Sequence, residues 1–500
     1  MKSFPSLYFA NLFLIIGTGL LTTYLALYLG QHGISTFWIG LMTSCYYLGL
    51  LFGSKLGYQL IKSVGHIRTF AASTAAVTAC VAAHGVTDNV YIWLALRFFV
   101  GLGMMCNYMV LESWLNEQAA PESRGRVFSF YMITSYLGMI LGQFALAQFP
   151  ELGYAPLFLV CMALAIGIIP ISITRRIHPK PLKPIQMSLF GFFKKVPQSL
   201  TAVLFAGIIN GSFYGLAPTF ASLSGFNAEQ IAIYMSVTIF AGLLAQWPMG
   251  LLSDKIRRSI LIRTNAVVIG VISLALFLLP MAQLQAYILT FIFGLFAFTL
   301  YPLSSALANS RVEDEDRVGV SSALLVAFGG GAAIGSAVNA QIMTYFGHQA
   351  LYASISLLTV VMFLLLSFIN SKQKAEKPEP SDYVMGTSDV TNSPLASTMD
   401  PRIEETTAHE QMLVVDDGDT AEELDDINDI DDIDEVNDLA QMDNDAETDH
   451  PLKNHRQGEL FSDNTNNDTN NPDSFNHGQM KDLNSQDDDS ASESTTNKRP

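Results

Sequence analysis

Apolar runs broken by short polar gaps fill residues 1–374, and most are about 20 residues long. A helix rising ~1.5 Å per residue needs that length to cross ~30 Å of hydrocarbon. The pattern predicts twelve spans, near residues 7–29, 38–60, 69–86, 91–114, 128–148, 156–173, 199–220, 231–252, 260–280, 286–307, 319–345 and 350–369. The first run follows Lys2, but it is longer than the apolar core of a secretory signal and lacks a small-residue cleavage pattern. It reads as a retained first helix.

Charge gives the spans a direction. The gaps Gln31–Phe37, Thr87–Asn89, Phe149–Ala155, Ala221–Gln230, Met281–Gln285 and Phe346–Gln349 contain no Lys or Arg. The alternate gaps hold Lys62 and Arg68; Arg124 and Arg126; Arg175, Arg176, Lys180, Lys183, Lys194 and Lys195; Lys255, Arg257, Arg258 and Arg263; and Arg311 and Arg317. Short loops so biased set topology, which predicts a multi-pass protein with both termini cytoplasmic. The expected location is the cell membrane, inner or plasma, with the bacterial inner membrane favoured.

The net charge of -17 is the sum of two unlike regions. Residues 375–500 hold 34 acidic and 7 basic residues and residues 1–374 hold 11 and 21, giving a tail of -27 and a body of +10. A basic body facing an anionic leaflet suits a lipid bilayer and implies no nucleic acid. Residues 375–500 are too charged and too poor in aromatics to offset their ordering entropy, so a disordered acidic cytoplasmic tail is expected. Within it Leu424, Ile427, Ile430, Ile433, Val436 and Leu439 recur every third residue between pairs made of Asp, Asn and Glu. That spacing drifts around a helix, so it marks either a solvated acidic tract or a motif that orders on a basic cytoplasmic partner. Cys45, Cys80, Cys106 and Cys161 all lie in spans without a CxxC pair and suggest packing, not a disulfide or zinc.

The two halves repeat. At an offset of 193 residues Gly49 aligns with Gly242, Gly57 with Gly250, Gly101 with Gly294, Gly138 with Gly331 and Gly142 with Gly335, where chance gives about one or two matches. The expected organisation is a six-helix bundle over residues 1–174, a basic cytoplasmic loop over 175–197, a second six-helix bundle over 198–374 and the tail. Two parallel halves are what alternating access about a shared interface requires.

Several segments match a known pattern. They include Gly250-Leu-Leu-Ser-Asp254-Lys255-Ile-Arg257-Arg258, with Arg257 in place of the usual glycine, and Arg97-Phe-Phe-Val-Gly101-Leu-Gly103. Gly138-Met-Ile-Leu-Gly142 and Pro121-Glu122-Ser-Arg124-Gly125-Arg126 lie in the fifth span and the loop before it. In these the chain resembles the major facilitator superfamily. Gly211-Ser-Phe-Tyr214-Gly-Leu-Ala-Pro218, Gln246-Trp247-Pro248-Met-Gly250 and Phe298-Thr-Leu-Tyr301-Pro302 carry a resemblance to its YcaD-like branch. The resemblance implies an all-α fold of twelve transmembrane helices in two six-helix repeats and extends over most of residues 7–370; the tail lies outside it.

Arg97 and Glu112 are the informative charges, because an ionised group at membrane depth is costly unless paired or hydrated. With Gly101, Met104 and Tyr108 they share one helix face, which should look inward; 15 residues apart, ~22 Å, they belong to different sites. The resemblance makes Arg97 a candidate for proton coupling or anion contact, the alternative being a cap on neighbouring carbonyls. Glu112 reads as a protonatable coupling group or as one side of a latch with Lys62 or Arg68; Asp254, Lys255 and Arg258 are further latch candidates. In the family the first, fourth, seventh and tenth helices line the cavity, which implies Asn11, Thr18, Thr22, Tyr24, Tyr108, Asn210, Tyr214, Tyr301 and Ser304 as cavity or substrate candidates, any of which would equally serve as an interhelical bond.

Walker A, HExxH and GxSxG are all missing from the sequence, arguing against an ATP-driven pump, a zincin or a serine hydrolase. The expectation is a monomeric secondary active transporter of a small solute, not an enzyme, without cofactor or metal and driven by the proton gradient, with efflux favoured over uptake. The alternative is a non-transporting sensor or scaffold acting through its tail.

Overall fold

Apolar runs of this length leave every backbone donor and acceptor to be satisfied within the segment, and in hydrocarbon the helix does so. The computed structural model describes residues 4–120, 123–173, 189–280, 282–312 and 314–372. The tail, with its period-three motif, and the loop residues Arg175, Arg176, Lys180 and Lys183 lie outside the described residues.

In chain order the helices are α1 (Phe4–Gln31), α2 (Thr36–Val64), α3 (His66–His84), α4 (Val90–Gln118), α5 (Arg124–Ala147), α6 (Ala155–Ile173), α7 (Leu189–Lys195), α8 (Pro197–Leu223), α9 (Ala228–Lys255), α10 (Arg258–Leu278), α11 (Gln283–Ala297), α12 (Leu300–Asn309), α13 (Asp314–Phe346) and α14 (Ala350–Lys372). Each of the twelve predicted spans falls on one helix or, for the tenth, on two. Among the described residues eleven spans are long and apolar enough to cross a membrane; α3, of 19 residues, is the more polar one. Phe52, Phe158, Trp247 and Phe368 stand exposed on the outside of the bundle, where lipid replaces water.

Local chemistry sets the helix ends. Asn89 caps α4 by accepting from Tyr91 N at 2.9 Å, and Asn227 and Gln230 form a reciprocal capping box on α9. α1 and α8 stop alike, on Gly33 and Gly225 at φ 71° and 92°, with Ile34 N bonded back to Leu29 O and Phe226 N to Ala221 O.

Two differences from the sequence expectation have physical causes. The basic loop contains the short helix α7, whose Phe192 packs where Gly319 of α13 has no side chain, and whose Lys195 pairs with Asp316. The tenth span divides because Pro302 cannot donate to the carbonyl four residues back. At the break Asn265 of α10 donates to Phe296 O at 3.2 Å and to Thr299 Oγ1 at 2.9 Å.

Three of the aligned glycine pairs occupy equivalent crossings. A Cβ on Gly101 would lie 2.1 Å from Tyr46 O, joining α4 to α2, and one on Gly294 would lie 2.3 Å from Thr238 O, joining α11 to α9. Gly138 and Gly142 bring α5 onto α1, as Gly331 and Gly335 bring α13 onto α8. Between the halves α2 packs on α13, α5 on α9, and α1 and α2 on α8. Ser44 Oγ donates to Ala333 O at 2.6 Å and Ser336 Oγ to Gly40 O at 2.9 Å, near the end of the bundle whose loops are free of Lys and Arg.

Candidate solute-binding site

Where the halves meet, α1, α2, α5 and α8 enclose a small cavity of about 20 Å³, room for a water-sized molecule. Its walls carry Thr18, Thr22, Tyr46, Met139, Gln143 and Tyr214. Thr22 lies nine residues from the end of α1 and Tyr46 ten from the start of α2, about 14 Å below the uncharged end at the helix rise. Hydroxyls here are partly committed to their own helix: buried Thr18 donates to Leu14 O at 3.1 Å and half-buried Thr22 to Thr18 O at 3.0 Å.

Arg97 stands directly behind this wall. The close crossing at Gly49 and Gly101 draws α2 onto α4, which leaves the buried guanidinium 4.7 Å from the centroid of the Tyr46 ring. The same group donates from Nη2 to Thr22 Oγ1 at 3.3 Å. One cation thus touches two wall residues on different helices. The inward face read from the sequence is real: Arg97, Gly101, Met104, Tyr108 and Glu112 are all buried.

Glu112 is fully buried toward the basic end of α4 and accepts from the Tyr131 hydroxyl of α5 at 3.2 Å. Lys62, Arg68, Asp254 and Lys255 are exposed at that end. Arg258, a latch candidate, is buried and donates to Ala306 O of α12 at 3.1 Å. It closes the crossing of α10 on α12.

Of the cavity candidates, Thr18, Thr22 and Tyr214 reach the pocket. Asn11 lies on the same stripe of α1 two turns below Thr18 and instead ties α1 to α5 through Thr134 Oγ1 and Ser135 Oγ, both at 2.9 Å. Tyr24 follows Thr22 by two residues, about 200° around the helix, and donates to Gly153 O. Tyr301 meets Phe328 edge-on, and Tyr108, Asn210 and Ser304 are buried elsewhere in the bundle. Tyr46 and Gln143 were absent from the sequence-derived set. Gln143 had a legible signal, an amide at membrane depth one turn from Met139 on α5.

The sequence profile of the Major Facilitator Superfamily matches residues 7–314 and 266–399. Curated relatives include the uncharacterized MFS-type transporter YcaD of Shigella flexneri and of Escherichia coli, each 30% identical over 358 residues, covering 71% of this chain and 92% of theirs. Among solved structures, the nucleoside transporter NupG superposes with a TM-score of 0.64 at 14% identity over 75% of this chain and 100% of its own. A bacterial homologue of the human lysosomal transporter Spinster, inward-facing and occupied, gives 0.63 at 14% identity over 74% and 96%. These likenesses extend the fold, the paired repeat and the central cavity to one conclusion: the chain is a multi-pass membrane transporter for a small molecule and belongs to the major facilitator superfamily.

Proposed function

We propose that the protein exports a small amphipathic solute across the bacterial inner membrane by rocking its two halves, coupled to protons and acting as a monomer with both termini cytoplasmic. The observation that carries this reading is the polar cavity between the halves, closed toward the uncharged end by the serine and glycine contacts of α2 with α13. With the positive-inside bias, that end is the outer one, so the described state is shut toward the outside. Opening it breaks the two bonds from Ser44 and Ser336, each of ordinary strength, about 1 kcal/mol net, which a bound solute and a gradient can offset.

Arg97 positions the Thr22 hydroxyl and the Tyr46 ring against the solute. Glu112 carries the proton, held ready by the Tyr131 hydroxyl at the opposite depth of the same helix. An aromatic and hydroxylic wall suits an amphipathic compound more than a strongly charged one, which supports efflux. In proteoliposomes with an imposed pH gradient, a candidate solute should move against its own gradient and stop when the gradient is collapsed by an uncoupler. Solute flux indifferent to the pH gradient would reject the coupling.

A further inference from the structure

The wall of the cavity carries an acceptor with nothing to accept. Gln143 is only 2% exposed, and its Nε2 donates to Gly19 O at 3.1 Å. Because Gly19 O is itself an acceptor, the amide orientation is fixed: the nitrogen must face α1. Gln143 Oε1 then remains buried without a hydrogen-bond partner, in a residue that lines the cavity. A buried amide oxygen left unmatched costs more than a typical bond contributes, so a group that satisfies it binds favourably.

The neighbouring hydroxyls add to the same polarity. Thr18 and Thr22 spend their hydrogens on Leu14 O and Thr18 O, so at the cavity wall their oxygens can only accept. Thr22 already receives a hydrogen from Arg97 on its far side. The face built by α1 and α5 is therefore rich in acceptors, and the charged donor that serves it belongs to the protein.

We infer that the transported solute is recognised through an uncharged hydrogen-bond donor, a hydroxyl or an amide N–H, given to Gln143 Oε1 across this face. The inference rests on the transporter reading and narrows its substrate class. A carboxylate would set its own lone pairs against those of Gln143 and the two threonines. An ammonium group would put a second cation across Thr22 from Arg97.

The closed cavity admits only a water-sized molecule, so a solute reaches Gln143 when the halves part. Equilibrium binding to the purified full-length protein, free to open, tests this without any flux measurement, so it can fail while gradient-driven transport stands. Four probes share one ring and differ in what it carries: nicotinamide, N,N-dimethylnicotinamide, nicotinate and protonated 3-(aminomethyl)pyridine. Nicotinamide should bind at least about tenfold more tightly than each of the others, the discrimination expected when a buried acceptor is met or left unmet. Gln143→Leu should erase that preference, and Gln143→Met should repeat the result with a more adaptable side chain. Where a variant does not fold, the four-probe order on the wild-type protein decides. Equal binding of nicotinamide and its dimethyl derivative, a preference surviving in Gln143→Leu, or no nicotinamide binding at all would overturn the inference.

Discussion

The guanidinium carbon of Arg97 lies 4.7 Å from the centroid of the Tyr46 ring, on a helix crossing that two glycines make close enough for this contact. A cation over an aromatic face contributes about 0.5–2 kcal/mol when shielded from water, more than enough to fix which way Tyr46 presents itself to the cavity. Arg97 thereby acts on the cavity through Tyr46 and Thr22, since it does not line the pocket itself.

Replacing that charge should separate positioning from folding. Arg97→Gln keeps much of the length but loses the cation, so solute flux should fall by about tenfold or more while expression and detergent melting stay near wild type. Arg97→Lys retains charge without the planar fork and should give an intermediate flux. Poor expression of Arg97→Gln, measured by size-exclusion profile, would instead mark Arg97 as a structural cap.

Glu112 calls for a different readout. Glu112→Gln preserves an oxygen for the Tyr131 hydroxyl and mimics the protonated acid, so the α4–α5 contact should survive. Gradient-driven accumulation should be lost, whereas exchange of solute across the membrane should continue and cease to depend on pH. Accumulation at the wild-type level would remove Glu112 from coupling.

Much of this arrangement was legible before any coordinates. The length of the apolar runs located every span, and the glycine matches at offset 193 marked four crossings that the fold repeats, at Gly101 and Gly294 and at the paired glycines of α5 and α13. The buried stripe from Arg97 to Glu112 followed from helix geometry alone. What a single chain does not encode locally is the register between helices. Asn11 and Thr18 occupy one stripe, yet only the height at which α5 crosses decides that Asn11 bonds to Thr134 and Ser135 while Thr18 meets the cavity. Arg258 likewise sits in a loop motif, and only the packing of α10 on α12 shows that its side chain reaches Ala306 O. The break at Phe298 and Thr299 was hidden because Pro302 lies inside an otherwise unbroken apolar run.

Orientation has a direct check. Cysteines placed at Ser35, before α2, and at Ser123, before α5, should react with a membrane-impermeant maleimide from opposite sides, Ser35 from outside. Labelling of both from one side would overturn the assignment of the uncharged end to the exterior.

The contact of Gly40 with α13 offers a way to jam one state. A Cβ at Gly40 would lie 2.2 Å from Ala340 Cβ and 2.6 Å from Ser336 O, so no side chain fits while the uncharged end is closed. Gly40→Val should cost the closed state about 1–3 kcal/mol by overpacking, and more where the facing backbone cannot yield, while the open state escapes the clash because the two helices have parted. The population shifts accordingly, and a ligand-free protein should rest open at that end. Transport should fall at least about tenfold, and a cysteine at Ser44, buried against Ala333 in the closed state, should gain reactivity toward a bulky thiol reagent applied from the uncharged side. Gly330→Ala on α13 is the control, since a Cβ there meets nothing within 4 Å and a helix-interior alanine is if anything stabilising. Equal transport and equal Ser44→Cys labelling in the Gly40→Val and Gly330→Ala backgrounds would show that the α2–α13 contact stays shut throughout the cycle, and the halves would have to part along another seam.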